Sequence, residues 1–185
     1  DVRLDANRSV GLVVAGGGSV ASGGSLVVSN MAPQASDGQK GFGVQVVEGG
    51  KLNAASLHVH AARTAAVWVS DVGTVVELGG LKALHTLAQT DGFGGRGLHV
   101  AGGAVVKVTG AVTLFDNRDA GVLADGAGTQ VVLGDGKAAV VVANTAPRPD
   151  GWAGHGVVAR KGAQVTLLHA HVTAAREAGV VASGA

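Results

Sequence analysis

The segment GVQVVEGG, residues Gly43–Gly50, places a small residue ahead of an alternating valine-rich stretch, and this pattern returns along the whole chain. The other copies are GLVVAGG from Gly11, AVWVSDVG from Ala66, GLHVAGG from Gly97, GVLADGAG from Gly121, GVVARKG from Gly156 and GVVASGA from Gly179. Successive starts lie 32, 23, 31, 24, 35 and 23 residues apart. A shorter unit therefore alternates with a longer one, which predicts a solenoid whose true repeat is two units.

The composition favours stacked small units over a conventional core. Glycine accounts for 32 of the 185 residues, against roughly 7% in ordinary chains, and aromatic residues make up only 3%. Val, Leu and Ala can fill narrow rungs, and glycine can turn the chain between them. We therefore expect one domain over residues 1–185. Because neither end carries a capping element, we also expect it to be a fragment of a longer array.

Each unit is predicted to contain three short strands. In the unit that begins at Gly43, the segments VQVV, KLN and SLHV alternate apolar and polar residues and are separated by small residues. Glycine recurs too often for helices. Three strands per unit are typical of a parallel β-helix, and parallel crossovers are almost always right-handed. The expected fold class is an all-β, right-handed parallel β-helix (solenoid) of about six to seven coils, with a long–short two-coil repeat.

Three kinds of motif carry a resemblance to a known family. They are the G-V-x-V starts, the turns NRDAGV (Asn117–Val122) and AAREAGV (Ala174–Val180), and the loops TDGFGGRG (Thr90–Gly97) and PRPDGWAGHG (Pro147–Gly156). The chain resembles the right-handed parallel β-helix repeat proteins, whose superfold is shared with pectate lyases. It is also similar to repeat arrays in secreted or surface proteins of the myxobacterial type. The resemblance covers nearly the whole chain and implies an extracellular or cell-surface location, but it supplies no catalytic motif.

The longer units contain three insertions, which are the candidate ligand-binding segments because solenoids bind through loops on one face. They are Asn30–Phe42, Thr86–Arg96 and Asn144–His155. Each holds an Asp-Gly pair and an aromatic residue close behind it: Asp37 with Phe42, Asp91 with Phe93, and Asp150 with Trp152. Spaced about 9.6 Å apart, the aromatic rings could form a row of platforms for sugar rings. The alternative is that Asp-Gly forms a tight turn and the ring packs on the solenoid wall.

The shorter units carry an arginine at the same corner. These residues are Arg8, Arg63, Arg118 and Arg176, spaced 55, 55 and 58 residues apart. In chain order they alternate with Asp37, Asp91 and Asp150, so opposite charges are expected one rung apart. We predict a structural corner seam of paired charges. Each exposed pair would contribute only about 0–1 kcal/mol.

Several function classes are disfavoured by the residue inventory. A net charge of +1 without a single-sign block argues against nucleic acid, and the absence of cysteine excludes thiolate chemistry. No apolar run reaches the roughly 18 residues of a membrane span. The pairs His58–His60 and His169–His171 lie four rungs apart, roughly 19 Å, so they cannot share an ion. We expect no metal site and no cofactor.

One tripeptide raises the alternative of an enzyme. Gly154-His155-Gly156 superficially resembles the GHG element of polygalacturonases, but the chain has neither of the NTD and DD segments that this chemistry also needs. The sequence therefore favours a non-enzymatic extracellular or cell-surface segment, a spacer or adhesin. Its expected partner is a polysaccharide or another surface protein. The alternatives are a polysaccharide-active lyase or hydrolase with its catalytic centre partly outside this chain, and end-to-end self-association.

Overall fold

A computed structural model describes residues 1–184, and this part of the chain is all-β, with parallel pairing between strands and no helix. The strands are β1 (Val2–Asp5), β2 (Val10–Ala15), β3 (Val20–Ser29), β4 (Phe42–Val47), β5 (Lys51–His60), β6 (Ala65–Ser70), β7 (Val75–Leu78), β8 (Leu81–Leu84), β9 (Arg96–Ala101), β10 (Val105–Val108), β11 (Val112–Phe115), β12 (Ala120–Asp125), β13 (Gln130–Leu133), β14 (Val140–Ala143), β15 (His155–Arg160), β16 (Gln164–Leu167), β17 (Ala170–Thr173) and β18 (Val180–Ser183). Residues 1–184 therefore contain no helix long and apolar enough to cross a membrane.

The repeated phrases form one sheet of seven strands, in the order β18-β15-β12-β9-β6-β4-β2. Their pairing register follows the repeat: Leu12 pairs with Val44, Val44 with Val67, Val67 with Leu98, Leu98 with Val122, Val122 with Val157, and Val157 with Val180. Equivalent positions of successive units thus lie side by side. We call this the phrase sheet.

The remaining strands form an eleven-stranded sheet that follows the order β16-β13-β10-β7-β5-β8-β11-β14-β17, with β3 beside β5 and β1 beside β3. The ten-residue β5 explains this order. Its first half pairs with β7 and its second half with β8, so a single long strand joins two rows that are separate in later units. Each unit therefore contributes three strand segments, as the sequence predicts, and the arrangement is compatible with a β-solenoid.

The core lies between the sheets and consists of Val, Leu and Ala. Val44, Val46, Leu98 and Val122 point inward from the phrase sheet and are fully buried. Leu57 and Leu114 of the eleven-stranded sheet belong to the same cluster. Because strand side chains alternate in direction, the residues between these inward positions point out of the phrase sheet.

The glycine that starts most phrases is explained by close packing between units. A Cβ atom at Gly121 would lie 2.7 Å from the carbonyl oxygen of Gly156 and would also collide with Val142. A Cβ atom so close to the backbone would force a neighbouring strand to shift, so this column contains only glycine and alanine. The repeat that is visible in the sequence therefore reflects contact between adjacent strands.

In the corner that leads into the phrase sheet, the residue that directly follows the preceding strand has a left-handed backbone in every unit. These residues are Ala6, Asn30, Ala61, His85, Asp116, Asn144 and Ala174, with φ between 51° and 55°. The backbone at these residues is hydrogen-bonded to the neighbouring unit. The Asn30 amide donates to His60 O at 3.0 Å, and the His85 amide donates to Phe115 O at 3.0 Å. We call this the entry corner.

All three insertions are located at the entry corner, between the strand that precedes it and the next strand of the phrase sheet. They follow β3, β8 and β14, whereas β1, β5, β11 and β17 are followed by short connections. The alternation of long and short units is therefore an alternation of connections at a single edge of the phrase sheet. This brings the insertions to one side of the molecule.

Candidate functional site

The aspartates of the three insertions stabilise turns. Asp37 Oδ1 accepts a hydrogen bond from the amide of Gln39 at 2.9 Å, Asp91 Oδ1 from that of Phe93 at 2.9 Å, and Asp150 Oδ1 from that of Trp152 at 3.0 Å. Each is an aspartate-capped turn, in which the carboxylate bonds the backbone two residues on. The turn interpretation of Asp-Gly therefore explains the aspartates.

The turns also correct the predicted alignment of the aromatic residues. The residue two places after the aspartate is Gln39 in the first insertion, Phe93 in the second and Trp152 in the third. Phe42 instead begins β4, opposite Val10 of β2, and is only 8% exposed. Its ring packs against Trp68, with centroids 5.2 Å apart. Phe42 is thus a wall residue, and the expected row of three exposed rings is not formed.

Neighbouring insertions contact one another directly. The Lys40 amide donates to Gln89 Oε1 at 3.1 Å, and the Thr90 hydroxyl donates to Gly38 O at 3.1 Å, which joins the first two insertions. The Arg148 guanidinium lies 4.9 Å from the centroid of the Phe93 ring, which joins the second and the third. The insertions form a continuous ridge beside the phrase sheet.

Of the candidate aromatic residues, Trp152 is the one with an open ring. Its side chain is 68% exposed, whereas Phe93, 52% exposed, has one face covered by Arg148. Trp152 borders a groove of about 380 Å³ between the third insertion and the outer face of the phrase sheet. The apolar residues of this groove are Leu123, Val158 and Val181. A groove of this size is in the usual range for small-ligand sites.

Two of the four corner arginines bind backbone carbonyl groups instead of aspartates. Arg63 Nη1 donates to Ala88 O at 3.1 Å, and Arg118 Nη1 donates to Pro147 O at 3.3 Å. Within residues 1–184, no ion pair joins Arg8, Arg63, Arg118 or Arg176 to Asp37, Asp91 or Asp150. The predicted seam of alternating charges is therefore not formed. Arg63 and Arg118 instead tie the following insertion to the corner.

A polar network that the sequence analysis did not single out crosses the outer face of the phrase sheet. Arg96 Nε donates to Asp119 Oδ2 at 2.6 Å, and Arg96 Nη1 lies 3.0 Å from His99 Nδ1. The His99 ring in turn packs edge-on against Trp68, with centroids 4.3 Å apart. Arg96 is therefore held on one side by a carboxylate and on the other by an imidazole.

His99 is neutral in this setting. The side chain is only 6% exposed, and burial, followed by the positive charge of Arg96, lowers its pKa to about 3. A neutral imidazole has one acceptor nitrogen, and Arg96 is a donor only. We therefore assign Nδ1 of His99 as the acceptor of the Arg96 hydrogen bond, with the proton on Nε2.

Two more guanidinium groups line the same groove, and each has a carboxylate partner. Arg148 Nη2 lies 3.1 Å from Asp150 Oδ2, and Arg160 Nη2 lies 2.9 Å from Asp125 Oδ2. Burial raises the pKa of Asp125, but the hydrogen bond from Arg160 and the charges of Arg160 and Lys161 outweigh it and hold that pKa below its usual value. The carboxylate is thus charged at neutral pH.

Buried polar atoms without a hydrogen-bond partner concentrate beside this groove. Among residues 1–184 they include Arg148 Nε, His155 Nδ1 and Arg160 Nε. Asp125 Oδ1 also lacks a hydrogen bond, although Lys161 Nζ lies 3.5 Å away. Such atoms are uncommon in folded proteins, because each costs roughly 1–3 kcal/mol. Their concentration here makes the groove the candidate functional site.

The glycine-flanked histidine also lies at this groove. His155 begins β15, and its Nε2 lies 3.6 Å from Glu177 Oε2. The backbone amide of His155 donates to Asp119 O at 3.0 Å. A histidine and a carboxylate are therefore side by side at the edge of the groove.

The paired histidines lie elsewhere and are not brought together. His58 and His60 belong to β5, in the middle of the sheet order, whereas the rings of His169 and His171, 6.0 Å apart, lie at β17, at one end of that order. Burial, then the charges of Lys82 and His60, lowers the pKa of His58. Residues 1–184 contain no group of three or more His, Asp or Glu side chains placed to hold a metal ion.

Comparisons with protein-family models, curated proteins and solved structures find no match for this chain. The site described above therefore rests on its own geometry.

Sequence reasoning missed Arg96, His99 and Arg160, although a signal was present. Arg96 directly precedes the GLHVAGG phrase, His99 stands at an outward position within it, and Arg160 follows Ala159 in GVVARKG. When the copies of the phrase are aligned, each position of the phrase forms a column of equivalent residues. The column of His99 contains Trp68 and Leu123. Variation in that column, against near-identity in the inward columns, marks the face that is free to differ.

Proposed function

We propose that this chain is a right-handed parallel β-helix that serves as a non-enzymatic spacer or adhesin at the cell surface or outside the cell, and that it binds a saccharide in the groove beside Trp152. The coil count would be six to seven, as the seven phrases predict. The proposal has two parts, a rod and a binding site, and different observations support them.

The rod is supported by the strand order. In the phrase sheet, strands from successive units are neighbours and parallel, and the eleven-stranded sheet keeps the same succession on either side of β5. In each unit the chain adds one parallel strand to the phrase sheet and one to each of the two rows of the eleven-stranded sheet, so it advances steadily in one direction. The right-handed sense follows the general rule for parallel crossovers.

The binding site is supported above all by Trp152. A tryptophan ring that is 68% exposed at the border of a concave groove is an unusual placement, since an indole ring in water gains none of the stabilisation that burial provides. Sugar rings have apolar C–H faces that stack on indole, and hydroxyl groups that pair with Arg, Asp and Glu side chains. The groove offers both kinds of contact.

A glycan array tests this function. The wild type is expected to bind a subset of the glycans, and Trp152→Ala is expected to lose at least nine tenths of that signal. Val72→Ala is the control variant, because Val72 is an exposed apolar residue after β6, outside the groove. If Trp152→Ala binds as the wild type does, the groove is not the saccharide site.

One observation favours the second candidate, a polysaccharide lyase or hydrolase. His155 and Glu177 are neighbours at the groove, and Asp119 lines it as well. Acid–base chemistry on a glycan needs such groups, but Asp119 is engaged by Arg96 at 2.6 Å. Incubation with a panel of polysaccharides, followed by assays for new reducing ends and for unsaturated products, distinguishes the two. Product that disappears in Glu177→Gln would establish the enzyme.

A further inference from the structure

We propose that the groove selects a saccharide that carries a tetrahedral oxyanion ester, a sulfate or a phosphate, with Arg96 as its main anchor. This inference rests on the proposed saccharide-binding function and names the chemical class of the ligand. It concerns the three arginines that line the groove.

Arg96 is preorganised for an anion. Asp119 and His99 hold it through Nε and Nη1, and the side chain is 19% exposed on a regular strand. A guanidinium has five N–H donors in one plane, and these two contacts use two of them. The remaining donors belong to a group whose orientation is already set, so binding an anion requires little further ordering.

Arg148 and Arg160 supply donors from two other segments. Arg148 belongs to the third insertion and is positioned by Asp150 and by the Phe93 ring. Arg160 ends β15 and is positioned by Asp125. Both line the groove that Arg96 lines. Three guanidinium groups thus face one groove, each fixed by a contact that leaves donors unused.

The donor arrangement favours a tetrahedral ester over a carboxylate. A carboxylate has two oxygens and is matched by the fork of one arginine. Here each arginine already has a carboxylate of the protein as its partner, so a second carboxylate would compete for the same geometry. A phosphate or sulfate ester presents three terminal oxygens in different directions, which suits donors that come from three segments.

The anion would be held by fixed N–H donors and not by an excess of positive charge. The groove lining contains the guanidinium groups of Arg96, Arg148 and Arg160 and the carboxylates of Asp119 and Glu177. Asp150 and Asp125, the partners of Arg148 and Arg160, together with Lys161 beside Asp125, bring the formal count to four positive against four negative groups. The apolar residues of the groove, Leu123, Val158 and Val181, and the Trp152 ring leave room for the sugar to which the ester is attached.

Calorimetric titration with defined monosaccharides tests the inference. Glucose, galactose and mannose are each used as the neutral sugar, the 6-phosphate, the 6-sulfate and the uronate, at low ionic strength. We expect the phosphate or the sulfate of at least one hexose to bind ten-fold more tightly than its neutral sugar and its uronate. Arg96→Gln should abolish this difference. Arg3→Gln makes the same charge change on β1, outside the groove, and should retain it.

Removing Arg96 also deprives Asp119 and His99 of a partner, so a second variant is included. Arg160→Gln changes a more exposed guanidinium and should reduce ester binding at least three-fold, with the melting temperature measured alongside. Equal binding of the uronate, or ester binding that neither variant weakens, would overturn the inference.

The outcomes separate this inference from the proposed function. If neutral sugars bind in a Trp152-dependent manner and the esters gain nothing, the ester preference is wrong and saccharide binding stands. If inorganic phosphate binds as tightly as every sugar phosphate, the anion site stands and the saccharide does not. If neither the monosaccharides nor the glycan array gives binding, both proposals fail.

Discussion

The Arg148 guanidinium lies over the Phe93 ring, 4.9 Å from its centroid, and thereby joins two insertions that belong to different double units. Arg148 also pairs with Asp150 at 3.1 Å, so one side chain orders its own insertion and the preceding one. This contact explains why the second insertion does not present an open ring. Trp152 is the aromatic residue of the insertions whose ring faces are left open.

The contact between these two side chains can be measured by a double-mutant cycle. Phe93→Leu and Arg148→Gln, alone and together, should give a coupling energy of about 0.5–1 kcal/mol in the free energy of unfolding. Chemical denaturation followed by circular dichroism provides the values. A coupling near zero would mean that the ring and the guanidinium are neighbours without attraction.

Close packing at the phrase starts predicts a large cost for one methyl group. Gly121→Ala places a Cβ atom 2.7 Å from the carbonyl oxygen of Gly156, so the two strands must separate locally. We expect a loss of about 1–3 kcal/mol in the free energy of unfolding. Gly17→Ala is the matched control, since a Cβ there has no atom within 4 Å. The packing argument fails if the two variants melt alike.

The aspartate-capped turns predict a local effect. Asp150→Ala removes the hydrogen bond to the Trp152 amide and should cost about 0.5–1.5 kcal/mol, while Asp150→Asn should retain most of it. Hydrogen exchange should become faster in the third insertion of the alanine variant, with the phrase sheet unchanged. Uniform protection in both variants would show that the turn does not depend on this side chain.

The buried His99 predicts a pH dependence of stability. Its pKa is about 3 in the folded protein because burial, and then Arg96, disfavour the charged form, whereas an unfolded histidine titrates near 6.5. Between these values the unfolded chain takes up a proton that the folded chain does not. The free energy of unfolding should therefore fall as the pH drops below about 6.5, by up to about 1.4 kcal/mol per unit, until about pH 3.

His99→Gln isolates this contribution, because an amide oxygen can still accept from Arg96 but does not titrate. Its free energy of unfolding should decline less steeply than that of the wild type between pH 6.5 and 4. His171→Gln, at an exposed position of β17, is the control and should follow the wild type. Parallel curves for the wild type and His99→Gln would contradict the assignment of a neutral buried ring.

The sequence was a good guide to the fold and a partial guide to the site. The repeat predicted an all-β chain with three strand segments per unit, because the spacing of small and valine residues is imposed by contacts within and between neighbouring strands. The insertions could be located from the sequence because they lengthen every second interval between copies of the phrase. Phe42 was assigned to the wrong position, since a count along the insertion does not show where the turn ends and β4 begins.

The sequence alone determined which residues recur, and therefore which strands are equivalent, since that information is periodic and local. Only the tertiary structure decided which side chains meet across units. Arg96 reaches His99 along one strand and Asp119 on the next unit, and Arg148 reaches Phe93 across two insertions. These contacts depend on the outward direction of each side chain and on the stacking of one insertion over another. The repeat in the sequence does not reveal these contacts. Inward residues are kept similar from unit to unit by close packing in the core, whereas outward residues are not packed in this way and can differ.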